Sequence, residues 1–347
     1  MLPVLFQFTL PPLVARVLAY LACALAGGWS LYKAQREEGS WKKGVNSALL
    51  WAVGGAFVFH FVVRLDDARE PVALPLHTYG LLIASAFMLA IWVGGREARR
   101  EGLDDNKIMD LSFWLLIAGM VGARILFIIV NWDDYARDWT QVLAFWKGGL
   151  VFYGGLLAAT FTAAYYMRRE KLSFLQYADV IVPSVPLAHA IGRLGCYSAG
   201  CCWGDVVASA VPWAAKFPPE SLAYQSQLAA HTIAAGALTT LPVHPTQLYE
   251  ALGETLIFVV LINLRRLKRF HGQVLLSYLI AYAALRTTVE HFRGDDERGH
   301  LFGATNHAWW NLSTSQFISV LVAVGGFALL LYVLRSREAS GARPAAA

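Results

Sequence analysis

Charge is what this chain has least of. Only 15% of its 347 residues are Asp, Glu, Lys or Arg, where soluble domains carry about 25%; 57% are hydrophobic, with a mean hydropathy of +0.47. That shortage excludes the two or three soluble domains that length alone would allow. A sustained alternation of apolar and polar residues is also missing, which excludes a membrane β-barrel. The first apolar run has no basic stretch before it, and Tyr20 stands where a lipoprotein cleavage box ahead of Ala22 and Cys23 would hold leucine. That run therefore reads as a retained helix with a buried thiol, not a cleaved signal. There are four cysteines, and Cys196, Cys201 and Cys202 give C-x4-C-C, which lacks the paired ligands of a structural zinc site. No metal and no cofactor is expected. Two readings of these three cysteines stay open: a small disulfide loop from Cys196 to Cys201 or Cys202, and plain packing of a crowded helix end.

What the chain does have is apolar runs of the roughly 20 residues that cross a bilayer as helices. They fall at about 11–32, 46–65, 77–95, 108–130, 148–167, 178–200, 246–264, 272–292 and 315–334. The expected fold is all-α, a polytopic membrane helical bundle of about nine transmembrane helices. Pro183 and Pro186 should kink the sixth. Basic residues gather in alternate connections: Lys33, Arg36, Lys42, Lys43; Arg96, Arg99, Arg100, Lys107; Arg168, Arg169, Lys171; Arg265, Arg266, Lys268, Arg269; Arg335, Arg337. Asp66, Asp67, Glu70, Asp133, Asp134 and Asp138 occupy the intervening ones. This is positive-inside patterning. It places the N-terminus outside and the C-terminus in the cytoplasm, and it accounts for the +5 formal charge without nucleic acid. Residues 201–245 form a long outer loop with Trp203, Trp213 and Tyr224, 293–314 a shorter one, and 336–347 a disordered cytoplasmic tail.

Ionisable groups inside spans cost about 2.5–3.5 kcal/mol each on insertion scales and point to function. Arg124 lies in the fourth span, Arg193 in the sixth, and Arg286 with Glu290 in the eighth. At about 1.5 Å of rise per residue, the three arginines sit about 9–11 Å below the outer surface. Tyr79 and Tyr153 enter their spans from the same side. Glu290 follows Arg286 by four residues and can pair with it. One carboxylate leaves three guanidiniums short of anions, and a lipid phosphate is the expected supplier, bound by charge-assisted hydrogen bonds. The competing reading is separate snorkelling of each arginine to the headgroups. Gly148, Gly149, Gly154 and Gly155 in the fifth span, and Gly192, Gly195, Gly200 and Gly204 along the sixth, allow close approach of helices or of a ligand. Single histidines, His189 among them, read as packing residues.

Six stretches in order carry a resemblance: LHTYGL at 76–81, GARILF at 122–127, KGGLVFYGGLL at 147–157, GRLGCYSAGCCWG at 192–204, HPTQLYEA at 244–251 and LRTTVEHFR at 285–293. Together they resemble the bacterial prolipoprotein diacylglyceryl transferases over about residues 72–335. The resemblance implies a seven-span core at 71–335, with residues 1–70 adding two N-terminal spans. It implies an enzyme of lipoprotein biosynthesis, multi-pass in the bacterial inner membrane. Such an enzyme moves diacylglycerol from phosphatidylglycerol to the lipobox cysteine of a prolipoprotein; a thioether forms and glycerol phosphate leaves. The family's tyrosine falls on Tyr79, its arginines on Arg193 and Arg286, its glutamate on Glu290 and its closing glycine on Gly204.

Three positions depart from the family. Its histidine is Tyr153 here, its asparagine Cys196 and its acidic residue Cys201. Tyrosine is a poorer base than histidine near neutral pH, so Glu290 and His244 are further candidates for the proton. The expected catalytic set is Arg193, Arg286, Glu290 and Tyr153. The expected substrate-binding set is Tyr79, Arg124, Cys196, Cys201, Gly204, His244 and Arg293. The alternative is a phospholipid-binding or lipid-moving relative on the same fold, or a transferase with another donor or acceptor.

Overall fold

The computed structural model describes residues 4–10, 72–137, 142, 149–207, 211–294 and 313–340. The runs expected at 11–32 and 46–65, Cys23, most of the loop at 293–314 and the tail beyond residue 340 lie outside the described residues. Short strands β1 (Val4–Leu10) and β2 (Val72–His77) pair in a two-stranded sheet, an element the all-α expectation lacks. Every other regular element is helical: α1 (Thr78–Arg100), α2 (Asp105–Val130), α3 (Trp132–Arg137), α4 (Phe152–Arg169), α5 (Phe174–Ile181), α6 (Ser184–Ala199), α7 (Leu222–Ala229), α8 (Thr246–Leu264), α9 (Gln273–Glu290) and α10 (Thr314–Ser340), with one 3-10 turn at Arg265–Leu267.

Helices thus occupy each span expected from residue 77 onward. Among the described residues, α1, α2, α8 with its 3-10 turn, and α10 are long and apolar enough to cross a membrane. The pair α5 and α6, bent by 41°, is long and apolar enough together to form a broken span or a re-entrant loop. The break falls at Val182 and Pro183, where a ring without N–H cannot continue the ladder. Met88, Trp92, Phe113, Trp114, Phe161, Leu252 and Val260 are all exposed. Faces this apolar are stable against lipid and not against water.

The chain divides into two units, each described by itself: one of Met1–Pro3, His77–Gly122 and Gly155–Ala347, the other of Val4–Leu76 and Ala123–Gly154. In the larger unit α6 packs against α1 and α8, and α9 packs against α8 and α10. One end of this unit collects the basic connections. Arg265 pairs with Glu97, and also with Glu101 at 2.8 Å; Lys268 reaches Glu101 at 2.9 Å; Lys107 reaches Glu170 at 2.6 Å. The connection from α1 to α2, the end of α4 and the end of α8 are thereby tied together, as expected of loops on one side of a bilayer. Beside them the buried core of Ile108, Leu111, Tyr166, Met167 and Val180 closes the same end.

Asp179 of α5 secures the start of α9. Its carboxylate accepts from the backbone N–H of Gly272 at 2.8 Å, Val274 at 3.0 Å and Leu275 at 3.1 Å. These are the donors a helix start leaves without partners, and the helix dipole favours the charge there. Asp179→Ala leaves three buried donors unmatched, each worth about 1–3 kcal/mol. The expected outcome is a clearly lowered melting temperature in detergent, read by a thermal unfolding assay; an unchanged melt would contradict this role.

The segment at 201–245 is not a bare loop. Phe217, Ala215, Ala223 and Val243 form a small buried core, with Tyr197 and Trp203 packed on it. Ser221 caps α7 by accepting from Tyr224 N–H at 3.2 Å. Thr240 Oγ1 accepts from Phe217 N–H at 3.0 Å, and Gln227 Oε1 from Leu241 N–H at 2.9 Å.

Candidate active site

Three helices each present two polar residues four positions apart: His189 and Arg193 on α6, Glu250 and Glu254 on α8, Arg286 and Glu290 on α9. That spacing puts each pair on one helix face, and the three faces meet. Arg193 donates through Nη2 to Glu250 Oε1 at 2.9 Å and through Nε to His189 Nε2 at 3.2 Å. A guanidinium nitrogen only donates, so His189 Nε2 accepts and the ring proton sits on Nδ1, 2.6 Å from Glu254 Oε1. Arg286 Nη2 lies 2.6 Å from Glu290 Oε2, and its Nη1 lies 3.8 Å from Glu250 Oε2. Glu250 therefore stands between the two guanidiniums. Gly253, one turn along α8, admits the close approach of α9: a Cβ there would sit 2.3 Å from Leu285 Cδ1.

Glu250, Glu254 and Glu290 are all buried, where a charge is costly unless it is paired. Arg286 Nη1 is buried and makes no hydrogen bond among the described residues. The two guanidiniums are thus neutralised by carboxylates, while donor capacity is left over. This corrects the expectation that lipid phosphate supplies the missing anions: Glu250 supplies part of that charge. His189 is corrected as well, since it joins this cluster. The signal that finds Glu250, Glu254 and His189 is the same four-residue spacing inside an apolar span.

At the mouth of the cluster, Tyr79 begins α1 with its ring against Gly195, where a Cβ would come 3.1 Å from Tyr79 Cδ2. Gly204 lies where three segments cross. Its N–H donates to His244 O at 2.9 Å, the next N–H, of Asp205, donates to Phe292 O at 2.9 Å, and Gly204 bridges to Arg293. A Cβ on Gly204 would sit 2.4 Å from Phe292 O and 2.6 Å from His244 Cβ. Its place is explained by backbone convergence. Gly204→Ala forces these segments apart, at a cost of about 1–3 kcal/mol for an overpacked site; the expected readout is a lower melting temperature together with weakened activity. His244 Nδ1 lies 3.0 Å from Tyr249 Oη, which accepts from Trp213 Nε1 at 2.8 Å. Phe292 packs on the His244 ring at 5.2 Å.

Arg124 and Tyr153 belong to the other unit. Arg124 is buried there, donates to Val142 O and Gly149 O at 3.1 Å each, and faces the Phe127 and Tyr135 rings at 5.6 and 5.3 Å. Gly149 has a positive φ of 81° and gives up its Cβ space to Phe127, and the helix of the fifth span starts at Phe152. Tyr153 packs edge-on to Phe152 with centroids 5.8 Å apart and is exposed.

Cys196, Cys201 and Cys202 are free thiols gathered at the end of α6. Hydrogen bonds from Cys196 and Cys201 draw the Cys202 thiol well below its ordinary range, with Arg193 and Arg293 adding to the effect.

The sequence profile described as prolipoprotein diacylglyceryl transferase matches residues 70–332. Proteins named phosphatidylglycerol–prolipoprotein diacylglyceryl transferase are similar over most of their length. The one from Listeria welshimeri is 31% identical over 268 residues, covering 76% of this chain and 89% of that protein. The one from Thermosynechococcus vestitus is 35% identical over 228 residues, 64% of this chain and 79% of that protein. The one from Symbiobacterium thermophilum is 32% identical over 278 residues, 78% of this chain and 96% of that protein.

Proposed function

Since the chain belongs to the prolipoprotein diacylglyceryl transferase family, we propose that it transfers the diacylglyceryl group of phosphatidylglycerol to the lipobox cysteine of a prolipoprotein, in the outer leaflet of the bacterial inner membrane. The observation that carries this reading is the buried meeting of Arg193 and Arg286 on Glu250, with donor capacity remaining on Arg286. The donor phosphate takes those remaining N–H groups. The acceptor sulfur gives up its proton, and its electron pair forms the S–C bond to the glycerol carbon. The C–O bond to phosphate breaks, and glycerol phosphate departs with the bonding pair. Charge growing on the departing phosphate meets guanidiniums already in place, commonly the largest single term in catalysis. Glu250 and Glu290 hold those guanidiniums, and Glu290 receives the thiol proton. Tyr79, His244 and Arg293 line the approach. Arg124 and Tyr153, in the other unit, are assigned no step.

Membrane placement follows from the two ends of the larger unit. The basic connections lie at the end of α8, about 22 Å along the helix from Glu250 at about 1.5 Å per residue. Positive-inside topology then sets the polar cluster near the outer face and the end of α10 in the cytoplasm. A nine-span chain with its N-terminus outside is consistent with this orientation. The test is complementation of a strain lacking its transferase, with mass spectrometry of a lipoprotein N-terminus. The reading expects the mass of a diacylglyceryl thioether. Phospholipid co-purifying with the protein, without that product, would support the lipid-binding alternative, which tyrosine in place of the family's histidine at position 153 favours.

A further inference from the structure

We propose that Cys196, Cys201 and Cys202 form a site for one zinc ion whose open fourth position takes the acceptor thiol. The inference rests on the transferase reading above and names how that thiol is activated.

Geometry carries it. Cys196 sits in the last turn of α6, and the chain then reverses through two left-handed residues, Gly200 (φ 64°) and Cys202 (φ 58°). A cysteine in that region is strained and persists only where its surroundings impose it. The surroundings are the first residues of α8: Thr246 Oγ1 donates to Cys202 O at 2.8 Å and Gln247 Nε2 donates to Cys201 O at 2.6 Å, from two buried side chains. The reversal brings the three sulfurs within 4.8 Å of one another. Sulfurs each about 2.3 Å from a shared zinc stand about 4 Å apart, so side-chain adjustment of under about 1 Å closes the site.

Stoichiometry and charge agree. The expectation of no metal came from the missing fourth ligand, but three protein ligands with one exchangeable position is the pattern of catalytic zinc, not of structural zinc. Three thiolates around a divalent ion leave one negative charge, and Arg193 stands one helical turn before Cys196. A disulfide would consume two of the thiols and leave the third unused, whereas all three are free.

The chemistry fills a gap in this chain. With tyrosine at position 153 in place of the family's histidine, the thiol proton falls to a carboxylate, a weak base for a thiol of ordinary acidity. A thiol bound to zinc is held as thiolate, acidic enough for a carboxylate, Glu290, to receive its proton. The zinc-bound sulfur then forms the S–C bond while the C–O bond breaks. The zinc keeps its oxidation state, and no other reactant is required. Arg193, one helical turn before Cys196, sets the donor phosphate beside this acceptor.

The test uses the full chain in detergent, reduced and stripped of metal, titrated with zinc against a chromophoric chelator and with cobalt as a spectroscopic probe. The proposal expects one ion per chain and a sulfur-to-cobalt charge-transfer band. A cysteine-containing lipobox peptide should shift that band, and its serine counterpart should not. Cys196→Ser, Cys201→Ser and Cys202→Ser should each abolish stoichiometric binding while melting like the parent. A His189→Ala, Glu254→Gln variant should keep it, since among the described residues that histidine and its carboxylates are the other group of ligand atoms close enough to hold an ion. If the serine variants do not fold, the peptide-dependent shift in the parent chain decides alone. The proposal is overturned by no stoichiometric zinc uptake, by uptake that survives loss of all three thiols, or by uptake of cuprous ion in place of zinc. Zinc uptake without transfer would sink the transferase reading and leave the site standing. Transfer at full rate by the stripped protein would remove the site's role and leave the transferase reading standing.

Discussion

Arg193→Ala lowers the rate of diacylglyceryl transfer by about 10²- to 10³-fold, the loss typical when one preorganised donor to a developing anion is removed. The size follows from where the guanidinium stands. It is fixed by Glu250 at 2.9 Å and His189 at 3.2 Å, so it needs no reorganisation as charge develops on the leaving phosphate. Arg193→Lys restores the charge without the planar fork and recovers only part of the rate. Release of labelled glycerol phosphate measures this, with a melting curve of each variant to separate chemistry from folding. A wild-type rate in Arg193→Ala would remove that guanidinium from the mechanism.

The second large effect falls on stability. Among the described residues, Glu250 is the one carboxylate that approaches both guanidiniums, at 2.9 and 3.8 Å. Deleting one member of a buried ion pair costs about 3–5 kcal/mol, because the remaining charge is stranded; here Arg193 loses its carboxylate, while Arg286 keeps Glu290 at 2.6 Å. Glu250→Gln is therefore expected to melt well below Glu254→Gln, whose partner is a histidine able to stay neutral. Anionic phosphatidylglycerol should partly restore the Glu250→Gln melt, since a phosphate can enter the vacated anion position, and zwitterionic lipid should not. Equal melts for the two variants, or no lipid dependence, would argue against Glu250 as the shared counter-ion.

Much of this arrangement was legible in the residues themselves. Hydrophobic run length placed the described helices of each span from residue 77 onward, because lipid leaves the backbone few other options, but not the short α3 and α7 between spans. The cost of charge in a span singled out Arg124, Arg193, Arg286 and Glu290, and helix rise set the three arginines at one expected depth. Glu250 and Glu254 pass the same cost test. They are hidden because they stand in the first half of an otherwise apolar run, where a carboxylate also fits as an interfacial residue. His189 is hidden because a neutral imidazole costs little to bury. The fold of 201–245 has no periodicity to betray it: Phe217 and Val243 find each other across a turn-rich segment. The pairing of β1 with β2 depends on partners far apart in sequence. Convergence of the three thiols is a matter of backbone handedness at Gly200 and Cys202, which spacing alone does not specify.

The central claim is that Arg193 and Arg286 act as one phosphate site. A double-mutant cycle on the purified protein tests it most directly, following thioether formation on a lipobox peptide together with release of glycerol phosphate. Residues that act as a unit are strongly non-additive, so the double replacement by alanine should cost little more than either single one, with peptide product and glycerol phosphate appearing in equal amounts in the parent chain. Losses that simply multiply, or a parent chain that yields no thioether, would contradict the account.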